Sequence, residues 1–129
     1  DASLTVMQSI PLSGVVLVTS PQDLAGMVVR KAARMVQHMG APILGVVENM
    51  SYMNCPQCGE RIEVFGPSGA MRTAMNLQVP LLGQLPLDPE LAVRCDAGEV
   101  EEYQAEQFEP IAEQVVERVP ATKTTPTFP

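Results

Sequence analysis

Apolar positions in this chain fall into short continuous runs separated by amphipathic stretches. Val15–Thr19 and Ile43–Val47 are such runs, rich in β-branched residues, and Leu81–Leu85, reached through Leu77-Gln78-Val79-Pro80, reads as a third strand. Runs of this kind predict strands covered on both faces, as in a parallel sheet. Asp1–Ile10 reads as a short helix with Leu4 and Met7 on one side, ended by Pro11, because the residue before a proline is pushed out of the helical region. Leu24–Met39 carries Leu24, Val28, Ala32, Met35 and Met39 at helical spacing, with Arg30, Lys31, Arg34 and Gln37 elsewhere. That pattern predicts an amphipathic helix. Ser20 or Asp23 is placed to cap it, and Gly40 with Pro42 to stop it.

The second half continues the alternation. Ile62–Phe65 reads as a short strand or extended return segment. Ser68–Asn76 is predicted helical, with Met71, Ala74 and Met75 as its apolar side. Asp88, Pro89 and Glu90 suit the cap and first turn of a helix ending near Gly98. A last helix is expected over Gln104–Val119, with Phe108, Ile111, Ala112, Val115 and Val119 on one face. Pro110 is incompatible with a helix interior, which moves the regular part toward Glu109. The order predicts an α/β fold, a parallel sheet with helices on both faces. Ligands of such sheets bind beyond the carboxyl ends of the strands. Thr19–Gln22, Glu48–Met50 and Pro86–Asp88 all fall there.

Composition narrows the classes. At 129 residues and 46% apolar, the chain suits one domain with a real core. No apolar run approaches a membrane span and no secretion signal is visible. The net charge of -7 argues against nucleic acid as the main partner. The three cysteines, Cys55, Cys58 and Cys95, are an odd count. They point to a reducing, cytoplasmic setting in which C-x-x-C means metal, iron-sulfur or redox chemistry.

Ser51–Glu60 contains that pair as Cys55-Pro56-Gln57-Cys58-Gly59. The turn points both sulfurs the same way, and the residue after the second cysteine needs a backbone state that glycine reaches cheaply. Lone His38 reads as a solvated residue at a helix end. Ala121–Pro129 has the composition of a disordered tail.

The runs V-V-L-V-T-S-P-Q-D, G-V-V-E-N-M-S-Y-M-N-C-P-Q-C-G and P-L-L-G-Q-L-P-L-D-P-E closely resemble the Mrp/Nbp35/ApbC family. These are P-loop NTPases of the MinD/ParA-like type that carry iron-sulfur clusters. The resemblance spans roughly residues 1–98. It implies that Cys55 and Cys58 ligate the cluster and that Asn49 reads an adenine edge, its amide both donating and accepting. It implies that Pro86, Leu87 and Asp88 form a loop beside the base, and it sets Gln22 and Asp23 near the nucleotide and dimer face.

The chain departs from the family in having no G-x-x-x-x-G-K-[ST] run, whose amides and lysine ring the phosphates. Asp1–Thr5 resembles the segment following the Walker B strand. Residues 1–119 thus read as the C-terminal portion of an Mrp-type NTPase domain, with the knuckle at 51–60 and a disordered tail at 120–129. ATP or ADP binding is then expected of the full-length protein, and ATP hydrolysis is not expected of this portion alone. The sheet of such a portion is expected to show an exposed edge and apolar faces.

A cluster or closed zinc site wants four ligands, and one knuckle offers two. The economical solution, which the resemblance also implies, is a homodimer whose two knuckles hold one [4Fe-4S] cluster for delivery to apo iron-sulfur proteins. Zinc in the same place, making a structural interaction module, is the alternative. A dithiol redox protein is a third reading. It is disfavoured because redox C-x-x-C pairs sit at a helix N-terminus, whereas Gly59 and a polar extended stretch follow this one.

Overall fold

The computed structural model describes residues 2–120. The tail expected at 120–129 therefore lies, apart from Pro120, outside the described residues. Three parallel strands, β1 (Val15–Thr19), β2 (Ile43–Glu48) and β5 (Leu81–Gln84), form a sheet in the order β1-β2-β5. Helices α1 (Ala2–Ser9), α2 (Asp23–His38), α3 (Ala70–Leu77), α4 (Pro89–Asp96) and α5 (Glu109–Arg118) connect and cover it. A two-stranded antiparallel hairpin, β3 (Met53–Asn54) with β4 (Arg61–Ile62), stands on the loop after β2.

Side-chain alternation along the strands builds a core on each face. Leu17 and Val46 pack with Val29 and Ala33 of α2 and Ala74 of α3. Val47, Leu82 and Leu85 face Phe108, Ile111 and Val115 on the other side. Gly83 permits the second contact, since a Cβ there would lie 2.7 Å from Ile111 Cγ1. Register pairs Thr19 with Glu48 and Glu48 with Gln84. The three strands thus end level and present one rim.

The expected stripe of α2 is rotated. Val29, Ala33 and Val36 are buried, Met39 is buried just beyond the helix, and Ala32 and Met35 are half-buried. Leu24 and Val28 are 66% and 59% exposed. The helix carries two apolar stripes, and the sheet takes the one containing the small Ala33, which lets helix and sheet approach closely. Leu24 and Val28 instead line, with Val18, an apolar groove of about 1120 Å³ along the free edge of β1. The exposed edge and apolar face expected from the sequence are both present.

Close approach also decides α3. Its buried residues are Ala70, Thr73 and Ala74, while Met71 and Met75 point outward. The helix starts at Ala70 rather than Ser68. The last helix is shorter than Gln104–Val119. A 3₁₀ turn at Glu106–Phe108 precedes α5, and Pro110 sits in its first turn, where the missing N–H costs nothing. Ala112 and Val119 lie off its buried face. The return strand is Arg61–Ile62 instead of Ile62–Phe65, with Val64 and Phe65 exposed. No helix among the described residues is long and apolar enough to cross a membrane.

Candidate metal centre and strand-end rim

The knuckle is closed by its backbone. Cys55 N–H donates to Glu60 O and Gly59 N–H to Cys55 O, each at 2.8 Å. Gly59 sits at φ 76°, the left-handed state that the turn demands and that a side chain would strain. Cys55 is half-buried and Cys58 exposed, both as free thiols. The Cys55 thiol is held below its ordinary pKa. The backbone N–H of Cys58 contributes most, then that of Gln57 and the Cys58 side chain, against an opposing effect of burial. Donors aimed at sulfur favour the thiolate, which is the metal-binding form.

Among the described residues, no group of three or more His, Cys, Asp or Glu side chains is arranged to hold a metal. Cys95 is an exposed thiol on α4. One chain therefore offers two soft sulfur donors on an accessible loop. It fits half of a four-thiolate site.

The hairpin is tied to the sheet by a buried carboxylate. Glu48, at the end of β2, is 0% exposed. Its Oε1 accepts from the Ser51 hydroxyl and, at 3.1 Å, from Gln84 Nε2. Its Oε2 accepts from Ser68 Oγ at 2.9 Å. Gln84 Oε1 in turn accepts from Arg61 Nη2 at 3.4 Å, and the Arg61 guanidinium lies 3.7 Å over the Tyr52 ring. Ser68 Oγ also accepts from Ala70 N–H at 3.2 Å, fixing the start of α3. One carboxylate thus joins the start of the knuckle segment and the turn before α3 to the ends of β2 and β5. Sequence reasoning placed Glu48 on the rim and gave it no role. The available signal was an acid closing an otherwise apolar strand with a serine three residues on.

The residues expected beside a nucleotide are distributed along the same rim. Asn49 is exposed, and its N–H donates to Thr19 O at 2.8 Å. Its Oδ1 accepts from Met50 N–H at 2.9 Å, which supports the left-handed Met50 at φ 56°. Asn49 lines the large groove together with Thr19, Ser20 and Gln22. Pro86, Leu87 and Asp88 are half-buried and do not line that groove. Leu87 N–H donates to Tyr52 O at 2.7 Å, so their loop runs beside the approach to the knuckle. Asp88 caps α4, its Oδ1 accepting from Glu90 N–H at 3.0 Å, and its Oδ2 accepts from the buried Tyr103 hydroxyl. The cap of α2 departs from expectation. Gln22 occupies that position with no side-chain cap bond, Ser20 Oγ donates to Gln22 Oε1, and Asp23 is the first helical residue.

A parallel sheet with helices on both faces and a ligand rim at its carboxyl ends is the architecture of nucleotide-binding α/β proteins. A solved structure, the nucleotide-binding protein of Archaeoglobus fulgidus in complex with ADP, superposes with a TM-score of 0.74 at 42% identity. The match covers 84% of this chain and 45% of that one. The family of ParA-type P-loop NTPases described as NUBPL iron-transfer P-loop NTPases matches residues 1–120, and the chain belongs to this Mrp-related family. It is 36% identical to the iron-sulfur cluster transfer protein NUBPL of Dictyostelium discoideum, over 92% of this chain and 39% of that protein. It is 41% identical to an iron-sulfur cluster carrier protein of Clostridium perfringens, over 82% of this chain and 37% of that protein. The chain thus spans less than half the length of the relatives it matches.

Proposed function

We propose that the chain provides the cluster-holding portion of an iron-sulfur cluster carrier of the Mrp type. Cys55 and Cys58 are its metal ligands. Two chains form a homodimer in which four thiolates hold one [4Fe-4S] cluster. Residues 1–119 make up the working unit. The observation that carries this reading is the accessible Cys55–Cys58 pair, with a thiolate supported by backbone N–H groups and no third ligand beside it among the described residues.

Such a site suits a cargo that must leave. Incoming thiolates of an apo iron-sulfur protein reach the knuckle from solvent and displace Cys55 and Cys58 one at a time. The cluster passes over intact, and the two chains recover their free thiols. Asn49 and the Pro86–Leu87–Asp88 loop form the base-reading edge for ATP or ADP in the full-length protein. The Asn49 Nδ2 group has no partner among the described residues and is free to donate. Phosphate chemistry is not assigned to these residues, because the chain carries no P-loop run. The acidic charge keeps nucleic acid from being a partner, and the reduced thiols fit the cytoplasm.

Anaerobic reconstitution with iron, sulfide and zinc in competition tests the reading. Iron and sulfide retained with a visible charge-transfer band, and lost in Cys55→Ser, support it. Zinc retained at about half an equivalent per chain, with iron excluded, replaces the carrier by a zinc-bridged interaction module.

A further inference from the structure

A second hollow, of about 260 Å³, lies between the start of α2 and the start of α3, beyond the end of β1. Arg30, Arg72 and Thr73 line it, with Gly26 at its wall. Asn49, Cys55, Cys58 and Pro86–Asp88 do not, whereas Gln22 and Asp23, set near the nucleotide and dimer face by the resemblance, do, and Thr19, Ser20 and Gln22 line both the groove beside Asn49 and this hollow. Its arginines are unusual for this chain. Every ion pair among the described residues uses Arg94, and neither Arg30 nor Arg72 has a hydrogen-bond or ion-pair partner among them.

Thr73 adds an independent sign of a ligand. It is only 7% exposed and its hydroxyl makes no hydrogen bond among the described residues, yet it is not a sealed orphan, so the oxygen opens into the hollow that Thr73 lines. A helical threonine usually satisfies itself on the carbonyl one turn back. This one instead lies 3.9 Å from where a Gly26 Cβ would stand, and Arg30 Nη1 lies 3.3 Å from the same point. The guanidinium and the hydroxyl therefore converge over a residue with no side chain, in a helix interior where glycine is otherwise unfavourable. The ends of α2 and α3 that border the hollow are N-terminal, and their cap residues Gln22 and Gly69 make no side-chain cap bond. The first-turn N–H groups, apart from that of Ala70, which donates to Ser68 Oγ, and two helix dipoles thus add to the two guanidinium charges, against the one carboxylate of Asp23.

We propose that this hollow is a binding site for a phosphate group, held between Arg30 and Arg72 with Thr73 Oγ1 donating to one oxygen. The tetrahedral dianion matches donors arriving from several sides, and arginine forks suit its oxygens. The phosphate is either the free ion or the end of a small phosphomonoester.

The test is an NMR and calorimetric titration of the purified protein with inorganic phosphate and, separately, glycerol 3-phosphate, at ionic strength held constant with chloride. Saturable one-site binding is expected, with amide shifts centred on Gly26 and Gly69–Thr73. Arg30→Gln with Arg72→Gln should weaken it at least tenfold. Thr73→Val, which keeps the shape, should weaken it several-fold with the melting temperature retained. Tighter binding of the ester than of phosphate would assign the site to a phosphomonoester, and the reverse to the free ion. Shifts no larger than those from chloride, or unchanged affinity in the double arginine variant, would overturn the proposal. Metal content plays no part in this readout, so it is separable from the carrier function.

Discussion

The knuckle and the Glu48 cluster occupy neighbouring stretches of chain and are built in opposite ways. The knuckle is a ten-residue excursion held by two backbone bonds and a two-residue ladder, with its sulfurs open to solvent. The Glu48 carboxylate is sealed from solvent and saturated by side chains from three segments. The contrast separates two tasks. On the proposed carrier role, groups that exchange a cargo must be reachable and easily reoriented. The group that aims them must be fixed, and a buried carboxylate is tolerated only when its acceptor sites are filled.

The largest predicted effect is chemical. Cys55→Ser with Cys58→Ser should abolish iron and sulfide retention while shifting stability by no more than ~0.5 kcal/mol, as expected for one half-buried and one exposed position on a loop outside the core. Metal analysis and thermal unfolding on the same sample check both halves. Glu48→Ala should do the reverse in stability, costing about 3 kcal/mol because Ser51, Ser68 and Gln84 lose their acceptor. Denaturant unfolding reads it, and a loss under ~0.5 kcal/mol would mean that the cluster anchors nothing.

A smaller effect is expected at Tyr103, whose hydroxyl donates to Asp88. Tyr103→Phe should cost about 1 kcal/mol. Burial first, and Asp88 second, push the Tyr103 hydroxyl above its ordinary value of 10.0. The native state therefore holds the proton more tightly than the unfolded chain. The corresponding stability is complete below pH 10 and is lost as pH rises through the higher native value. In the Phe variant this alkaline loss should be reduced, as urea midpoints across pH 9–12 would show. Least of all, Arg61→Ala removes a solvent-exposed stacking contact on Tyr52 and should cost ~0.5–1 kcal/mol. A larger loss would show that the hairpin is anchored mainly through its arginine.

The same contrast explains what the sequence made legible. β2 was readable because it is covered on both faces, which leaves a continuous apolar run, whereas β1 carries the same kind of run with one face open, Val18 being 61% exposed along its free edge. The knuckle was readable because C-x-x-C followed by glycine is a local device, complete within five residues. The buried stripe of α2 and the inner face of α3 were misread because periodicity marks apolar sides without saying which neighbour is close. Small residues, Ala33, Ala70 and Ala74, won those contacts over larger Leu24, Met71 and Met75. Glu48 escaped notice because its partners Ser68 and Gln84 are 20 and 36 residues away. Asp88 was seen both as a cap and as a base-side residue, and its two oxygens are bonded within the chain.

Native mass spectrometry after anaerobic reconstitution bears most directly on the central claim. Two chains carrying one cluster of four irons and four sulfides are expected, with Cys55→Ser reverting to bare chains. A reconstituted monomer carrying a complete cluster, or a cluster-bearing dimer that survives loss of both Cys55 and Cys58, would contradict it.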